Sequence, residues 1–192
     1  LPTAALIASK GVQVSGVDIN KKIVDQINLG ISPFEEKDLL SLVEESVLSG
    51  NLVASTKLEE SDVYLITVQT PLDSKKQPDM LFVEKAAESL APTLKKGSLV
   101  ILESTSPVGS TERLSSLLSE MRSDLKFPNL YDDSSPDVFI AYCPERVMPG
   151  NTISELKTNT RVIGGLSDWC SKKAIDFYKL FVESECLITN SR

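Results

Sequence analysis

The 192-residue sequence predicts an α/β fold built on a doubly wound, mainly parallel sheet, and three observations carry that expectation. Residues 62–68, 98–103 and 137–142 are near-continuous apolar runs, as in strands whose two faces are both covered by helices. Segments with apolar residues at helical spacing alternate with these runs, as the crossovers of a parallel sheet require. The first 18 residues give the same alternation in miniature: an apolar helix over 1–10, a stop at Gly11, and a strand from Val12 closed by Asp18.

The remaining elements follow in order. Residues 21–29 carry Ile23, Val24 and Ile27 on one helical face, and Gly30 ends that helix. A second helix over 38–48 shows a solvated face of acids and serines, and 52–54 make a short strand. The strand at 62–68 ends in Gln69-Thr70-Pro71, residues 72–78 form a polar loop, and 80–94 form a helix that closes on Lys95-Lys96-Gly97, cations and a glycine suited to a helix C-terminus. The strand at 98–103 delivers Ser104-Thr105-Ser106-Pro107-Val108-Gly109, followed by a helix over 112–121 and an exposed loop over 126–136 containing Asp132 and Asp133. The strand at 137–142 runs into Cys143-Pro144-Glu145-Arg146-Val147-Met148-Pro149-Gly150. A short strand at 160–163 precedes Gly164-Gly165, a helix spans 168–182, and 186–189 begin a last strand. No internal repeat or low-complexity segment interrupts the chain.

Composition narrows the function classes. A hydrophobic content of 41% with mean hydropathy near zero suits a folded core, and no apolar run is long enough to cross a bilayer. A formal net charge of -7 argues against broad nucleic-acid binding, which depends on cationic side chains at phosphates. Cys143, Cys170 and Cys186 lie far apart, with neither metal-type spacing nor an even count, so a reducing cytoplasm is the simplest setting and no metal site is expected. The chain has no His, so proton transfer within it falls to carboxylate, Lys, Tyr, Cys or ordered water.

Ligands of open α/β sheets sit outside the carboxyl ends of the strands, which directs attention to Asp18, to 67–71, to 103–109 and to 143–150. The helix, strand and acid of the opening segment match the second half of a dinucleotide-binding βαβ unit, with the first strand and Gly-rich turn absent. In that role Asp18 accepts hydrogen bonds from the adenosine ribose and repels a 2′-phosphate, which points to NAD. The alternative is a local one: an Asp here can cap the next helix, and Asn20 can serve equally. The Pro- and hydroxyl-rich segments likewise suit either ligand contact or simple βα turns. Cys143, at a buried strand end beside Glu145, reads as packing rather than as a nucleophile.

Taken together, these segments resemble one family. Leu1-Pro2-Thr3-Ala4, Gly16-Val17-Asp18-Ile19-Asn20, Gln69-Thr70-Pro71, Ser104-Thr105-Ser106-Pro107-Val108-Gly109 and Cys143-Pro144-Glu145-Arg146 occur in the order seen in UDP-glucose/GDP-mannose dehydrogenases. The resemblance covers essentially the whole chain. Pro144 to Gly150 and Arg161-Val162-Ile163-Gly164-Gly165 look most like the branch that oxidises UDP-N-acetyl-D-mannosamine. The UDP-glucose branch usually has an aromatic after the Glu and a second Glu shortly after it, where Arg146 and Pro149 stand here.

The resemblance implies a Rossmann-like domain and an NAD-dependent four-electron oxidation of the sugar C6 alcohol to a carboxylate, in the cytoplasm, for surface polysaccharide synthesis. It implies two hydride transfers and a thioester on a Cys, hydrolysed by water; that Cys, with an oxyanion-stabilising Lys and Asn, belongs to segments beyond residue 192. Residues 1–192 are then an N-terminal NAD-binding domain truncated at both ends, without the helical domain that makes the parent a homodimer and without the UDP-sugar domain. Carried over residue by residue, Glu145 positions or deprotonates the hydrolytic water and Thr105 helps hold that water beside the nicotinamide. Asp18, Ile19, Thr70 and Thr105 contact the cofactor, and Arg146 and Val147 lie along the sugar nucleotide. Two other readings stay open: a UDP-glucose or UDP-N-acetylglucosamine 6-dehydrogenase, and a non-catalytic fragment that is inactive by itself.

Overall fold

The structure, a computed structural model, describes residues 1–74, 76–129, 134–148 and 150–191. Its elements are α1 (Pro2–Ala8), β1 (Val14–Val17), α2 (Lys21–Asn28), α3 (Lys37–Leu48), β2 (Leu52–Ser55), β3 (Val63–Ile66), α4 (Leu81–Leu90), β4 (Leu99–Leu102), α5 (Ser110–Met121), β5 (Phe139–Tyr142), α6 (Thr152–Thr158), β6 (Arg161–Gly165), α7 (Asp168–Tyr178) and β7 (Cys186–Asn190). The residues gather into two compact units, the first made of Leu1–Glu59, Arg146–Asn159 and Lys179–Ser184, the second of Glu60–Glu145, Thr160–Tyr178 and the residues from Glu185 onward. Asp132, Asp133 and Pro149, named above in a loop and in a motif, lie outside the described residues.

In the first unit β1 and β2 pair in parallel, Val14 opposite Leu52 through Val17 opposite Ser55. Ala5, Leu6 and Ile7 of α1, Leu39 and Val43 of α3, and Leu52 of β2 are buried. Leu39 and Val43 lie one helical turn apart, whereas α1 is buried at successive residues, as in a helix that is apolar all round. Ser46 Oγ of α3 donates to the Ala5 carbonyl at 3.2 Å, satisfying a hydroxyl that packing would otherwise leave dry. Asn28, at the end of α2, donates from Nδ2 to the Ala54 carbonyl at 2.9 Å and accepts at Oδ1 from the Ala54 N–H at 2.7 Å. One side-chain amide thereby meets both backbone groups of a β2 residue, as a neighbouring strand would.

The second unit holds a five-stranded sheet in the order β3-β4-β5-β6-β7. Strands β3, β4 and β5 are parallel, β6 and β7 are parallel, and β5 meets β6 antiparallel through Ala141 opposite Gly165 and Tyr142 opposite Gly164. All four residues of β4 are buried, so both faces of the sheet are covered there, which is why its sequence is a continuous apolar run rather than an alternating one. The sheets are therefore mostly parallel, as expected, with this one reversal among the described residues.

Three differences from the sequence reading have local causes. Helix α6 was not foreseen, being only seven residues long, with Ile153 and Leu156 as its buried contacts. Helix α7 stops at Tyr178 instead of reaching residue 182; Phe181 and Val182 keep the apolar pattern and stay buried, but in the first unit, where the Glu183 N–H donates to the Lys157 carbonyl at 2.8 Å. Strand β6 continues through Gly164 and Gly165 because neither presents a side chain: a Cβ on Gly164 would overlap the Asn190 carbonyl of β7. Gly164→Ala is expected to destabilise the protein by about 3 kcal/mol through overpacking against backbone that cannot yield. The midpoint of urea unfolding reads this, and an unchanged midpoint would contradict the close packing of β6 on β7.

Candidate functional site

The carboxyl ends of β3, β4 and β5 are laced together by backbone. Glu103 and Ser104 donate their N–H groups to the Ile66 carbonyl at 3.0 and 3.2 Å, Cys143 donates to Leu102 at 3.0 Å, and Glu145 donates to the Glu103 carbonyl at 3.3 Å. Hydroxyls take up the carbonyls freed where the ladders stop: Ser104 Oγ donates to Val68 at 2.7 Å, Ser106 Oγ to Ser104 at 2.8 Å, and Thr70 Oγ1 to Thr105 at 2.8 Å. Gly109, at φ +92°, makes the left-handed turn that opens α5. A cavity of about 150 Å³ opens beside this rim, walled by Ser106, Pro107, Val108, Tyr142, Pro144 and Thr189. Thr70 and Thr105 are thus in direct contact, and Thr105 and Glu145 stand at the ends of neighbouring strands.

Behind the rim lies a buried polar cluster. Arg161, 3% exposed, meets the Glu145 carboxylate at 3.4 Å, and its guanidinium carbon lies 5.5 Å from the centroid of the Tyr178 ring. The Tyr178 hydroxyl donates to Glu103 Oε1 at 2.7 Å, and Glu103 is 2% exposed. The antiparallel register explains the Arg161 contact. Ala141 faces Gly165 and Tyr142 faces Gly164, so continuing three residues in the same register brings Glu145 opposite Arg161.

Burial dominates the protonation of Glu103, Tyr178 and the neighbouring Cys143. It pushes the Glu103 carboxyl up to about 7, against the Tyr178 hydrogen bond that favours the carboxylate; the charge of Glu145 adds to the rise and that of Arg161 opposes it. The buried Cys143 thiol is pushed up to about 12, so it stays protonated and unreactive at neutral pH. Desolvation raises the Tyr178 hydroxyl as well, leaving it a donor.

The first unit holds the other candidates. Asp18 follows β1, its N–H bonded to the Ser55 carbonyl at 3.1 Å, and its Oδ1 accepts the Asn20 N–H at 2.7 Å. The capping role falls to Asn20, whose side chain accepts from the Lys22 N–H at 3.1 Å at the start of α2. Ile19 is 95% exposed beside Asp18. A half-buried carboxylate with an uncovered apolar side chain next to it at a strand's carboxyl end is chemically suited to a ribose diol and the face of a base. Arg146 is exposed, with its carbonyl accepting from Asn159 Nδ2 at 3.3 Å, and Val147 is half-buried. Asp18, Ile19, Arg146 and Val147 therefore belong to the first unit, and Thr70, Thr105 and Glu145 to the second.

Sequence reasoning gave no role to Glu103, Arg161 or Tyr178. The available signal was a charge at each end of a strand pattern that predicts burial: Glu103 closing one apolar run and Arg161 opening another. Tyr178 carries no such signal, because nothing in a helical pattern says that a hydroxyl will meet a carboxylate 75 residues away.

Residues 1–182 match the NAD binding domain of the UDP-glucose/GDP-mannose dehydrogenase family. The chain is 55% identical over its whole length to the UDP-N-acetyl-D-mannosamine dehydrogenase of Escherichia coli K12, covering 46% of that protein. It is 49% identical over its whole length to an NDP-N-acetyl-D-galactosaminuronic acid dehydrogenase of Ralstonia solanacearum, covering 45% of it. Among solved structures, the UDP-N-acetyl-mannosamine dehydrogenase of Staphylococcus aureus superposes with a TM-score of 0.91 at 35% identity, over 100% of this chain and 44% of that one. The corresponding enzyme of Pyrococcus horikoshii gives 0.90 at 35% identity, over 98% and 44%. The chain spans about half the length of the curated relatives it matches. Among the described residues, no helix is long and apolar enough to cross a membrane.

The raised carboxyl of Glu103 has a defined consequence for stability. An acid held above its ordinary value of 4.5 binds its proton more tightly in the folded than in the unfolded chain, so its contribution is complete below that value and is lost as pH rises to about 7. Glu103→Gln is expected to remove this loss: the urea midpoint of the parent sequence falls relative to that of the variant between about pH 5 and about pH 8. Parallel midpoints over that range would contradict a buried, neutral Glu103.

Proposed function

The chain belongs to the UDP-glucose/GDP-mannose dehydrogenase family, and on that premise we propose that it is the NAD-binding part of an enzyme that oxidises UDP-N-acetyl-D-mannosamine at C6 to UDP-N-acetyl-D-mannosaminuronate. The observation that carries this reading is the position of Glu145, a half-buried carboxylate at the carboxyl end of β5, next to the end of β4 that delivers Thr105. Bound NAD supplies the electron acceptor for the oxidation. Glu145 serves as the base for the water that releases the acyl product, a task its carboxylate suits in a chain with no His. The Thr105 hydroxyl holds that water, and the Thr70 hydroxyl fixes the Thr105 carbonyl at 2.8 Å while lying against the cofactor. Asp18 accepts the ribose hydroxyls, with Ile19 against the base, and Arg146 and Val147 line the sugar-nucleotide side.

The nucleophilic Cys and most UDP-sugar contacts fall, in this reading, to the part of the relatives' length that this chain does not span, together with a helical domain that makes the parent a homodimer. The enzyme works in the cytoplasm and feeds surface polysaccharide synthesis. The similarity to relatives named for 2-acetamido sugars supports that substrate class.

Steady-state turnover of the protein carrying this chain with UDP-N-acetyl-D-mannosamine, UDP-glucose and UDP-N-acetylglucosamine tests the substrate, and activity confined to UDP-glucose would sink the reading. Glu145→Gln is expected to lower kcat by about 100-fold or more, with the KM for NAD changed less than about 3-fold. Asp18→Ala is expected to raise the KM for NAD by about 10- to 100-fold through loss of charge-assisted hydrogen bonds to the ribose, with kcat at saturating NAD nearly unchanged.

A further inference from the structure

We propose that Arg161 is the positioning residue for Glu145, and that the Glu103–Tyr178 pair behind it holds Arg161 in place. The proposal rests on the reading of Glu145 given above. Arg161 is almost completely enclosed, so it does not serve a ligand in solvent; its contacts include the Glu145 carboxylate at 3.4 Å and the face of the Tyr178 ring. Glu145 lies on irregular chain beyond β5, where a carboxylate has several rotamers, and the guanidinium gives it a fixed, charged partner.

The guanidinium is itself confined. The Tyr178 ring lies against it, and that ring is pinned at its hydroxyl by the 2.7 Å bond to Glu103 and packed edge-on by Phe177, 5.4 Å between centroids. Four chain segments thus converge: the ends of β4 and α7, the start of β6 and the stretch after β5. Glu145 is the cluster member that reaches the rim, with 30% of its side chain exposed. An apolar cluster of the same volume would stabilise the sheet as well or better, since buried ion pairs are seldom net stabilising. Orientation of the one carboxylate that faces outward is what the charged arrangement adds.

The test is made in the full-length enzyme. Arg161→Lys keeps the charge and removes the planar fork; kcat per active site, counted by the initial burst of NADH, is expected to fall about 30-fold, with both KM values within about 2-fold. Tyr178→Phe keeps the ring and removes the bond to Glu103, for an expected loss of about 5-fold. In a Glu145→Gln background neither substitution lowers kcat further, because each acts through the missing carboxylate. A purely structural role predicts instead a lower melting temperature or fewer active sites with kcat per site unchanged, or losses that multiply with that of Glu145→Gln; either result overturns the proposal. If Arg161→Lys does not fold, Tyr178→Phe in the two backgrounds decides by the same criterion. Wild-type kcat in Glu145→Gln overturns the reading of Glu145 and this proposal with it, whereas an impaired Glu145→Gln beside an unimpaired Arg161→Lys and Tyr178→Phe overturns this proposal alone.

Discussion

A guanidinium withdrawn from water has to be met by negative charge and by surfaces that tolerate it, and Arg161 imposes that constraint on the second unit. Its carboxylate partner Glu145, the Tyr178 ring and Glu103 behind the ring come from chain positions up to 75 residues apart. Each of the surrounding elements can be read as serving that meeting. Strand β4 runs straight into the buried Glu103, and α7 extends far enough to bring the Tyr178 hydroxyl to it. The cluster holds two carboxylates and one guanidinium, an imbalance that burial resolves by letting Glu103 keep its proton near neutral pH.

The reversal between β5 and β6 is what makes this arrangement possible. In a parallel pair the start of β6 would lie beside the start of β5, at the far end of the sheet from Glu145. Running the other way, β6 begins beside the carboxyl end of β5 and carries Arg161 to it. Gly164 and Gly165 are part of the same device, since β6 approaches β7 and the start of α7 too closely there for any side chain.

Much of this was legible in the sequence, and what was not has a common physical cause. Continuous apolar runs placed β3, β4 and β5, and β4 is buried at every position as a strand covered on both faces should be, while β3 alternates buried with half-buried residues. The strand-end rule led to 67–71, 103–109 and 143–150, within which the family resemblance singled out Thr70, Thr105 and Glu145, and the structure joins Thr70 to Thr105 directly. Periodicity is silent about direction, so the reversal of β6 could not be read, and with it the contact between Glu145 and Arg161 was invisible. The stop of α7 at Tyr178 was equally hidden: Phe181 and Val182 continue an apolar pattern that a helix and an irregular buried segment share. At β1 the capping alternative is met by Asn20, whose side chain accepts from Lys22, while the Asp18 carboxylate accepts the Asn20 N–H.

The amide of Asn28 has an effect beyond fastening α2 to its sheet. By occupying the donor and the acceptor of Ala54 together, it covers the outer border of β2 at that residue with a surrogate for backbone. Sheets recruit strands through open borders, and at Ala54 this one offers a newcomer neither donor nor acceptor. A strand seeking to extend the two-stranded sheet past β2 would have to displace a side chain that belongs to α2, so detaching that helix and opening the border are one event.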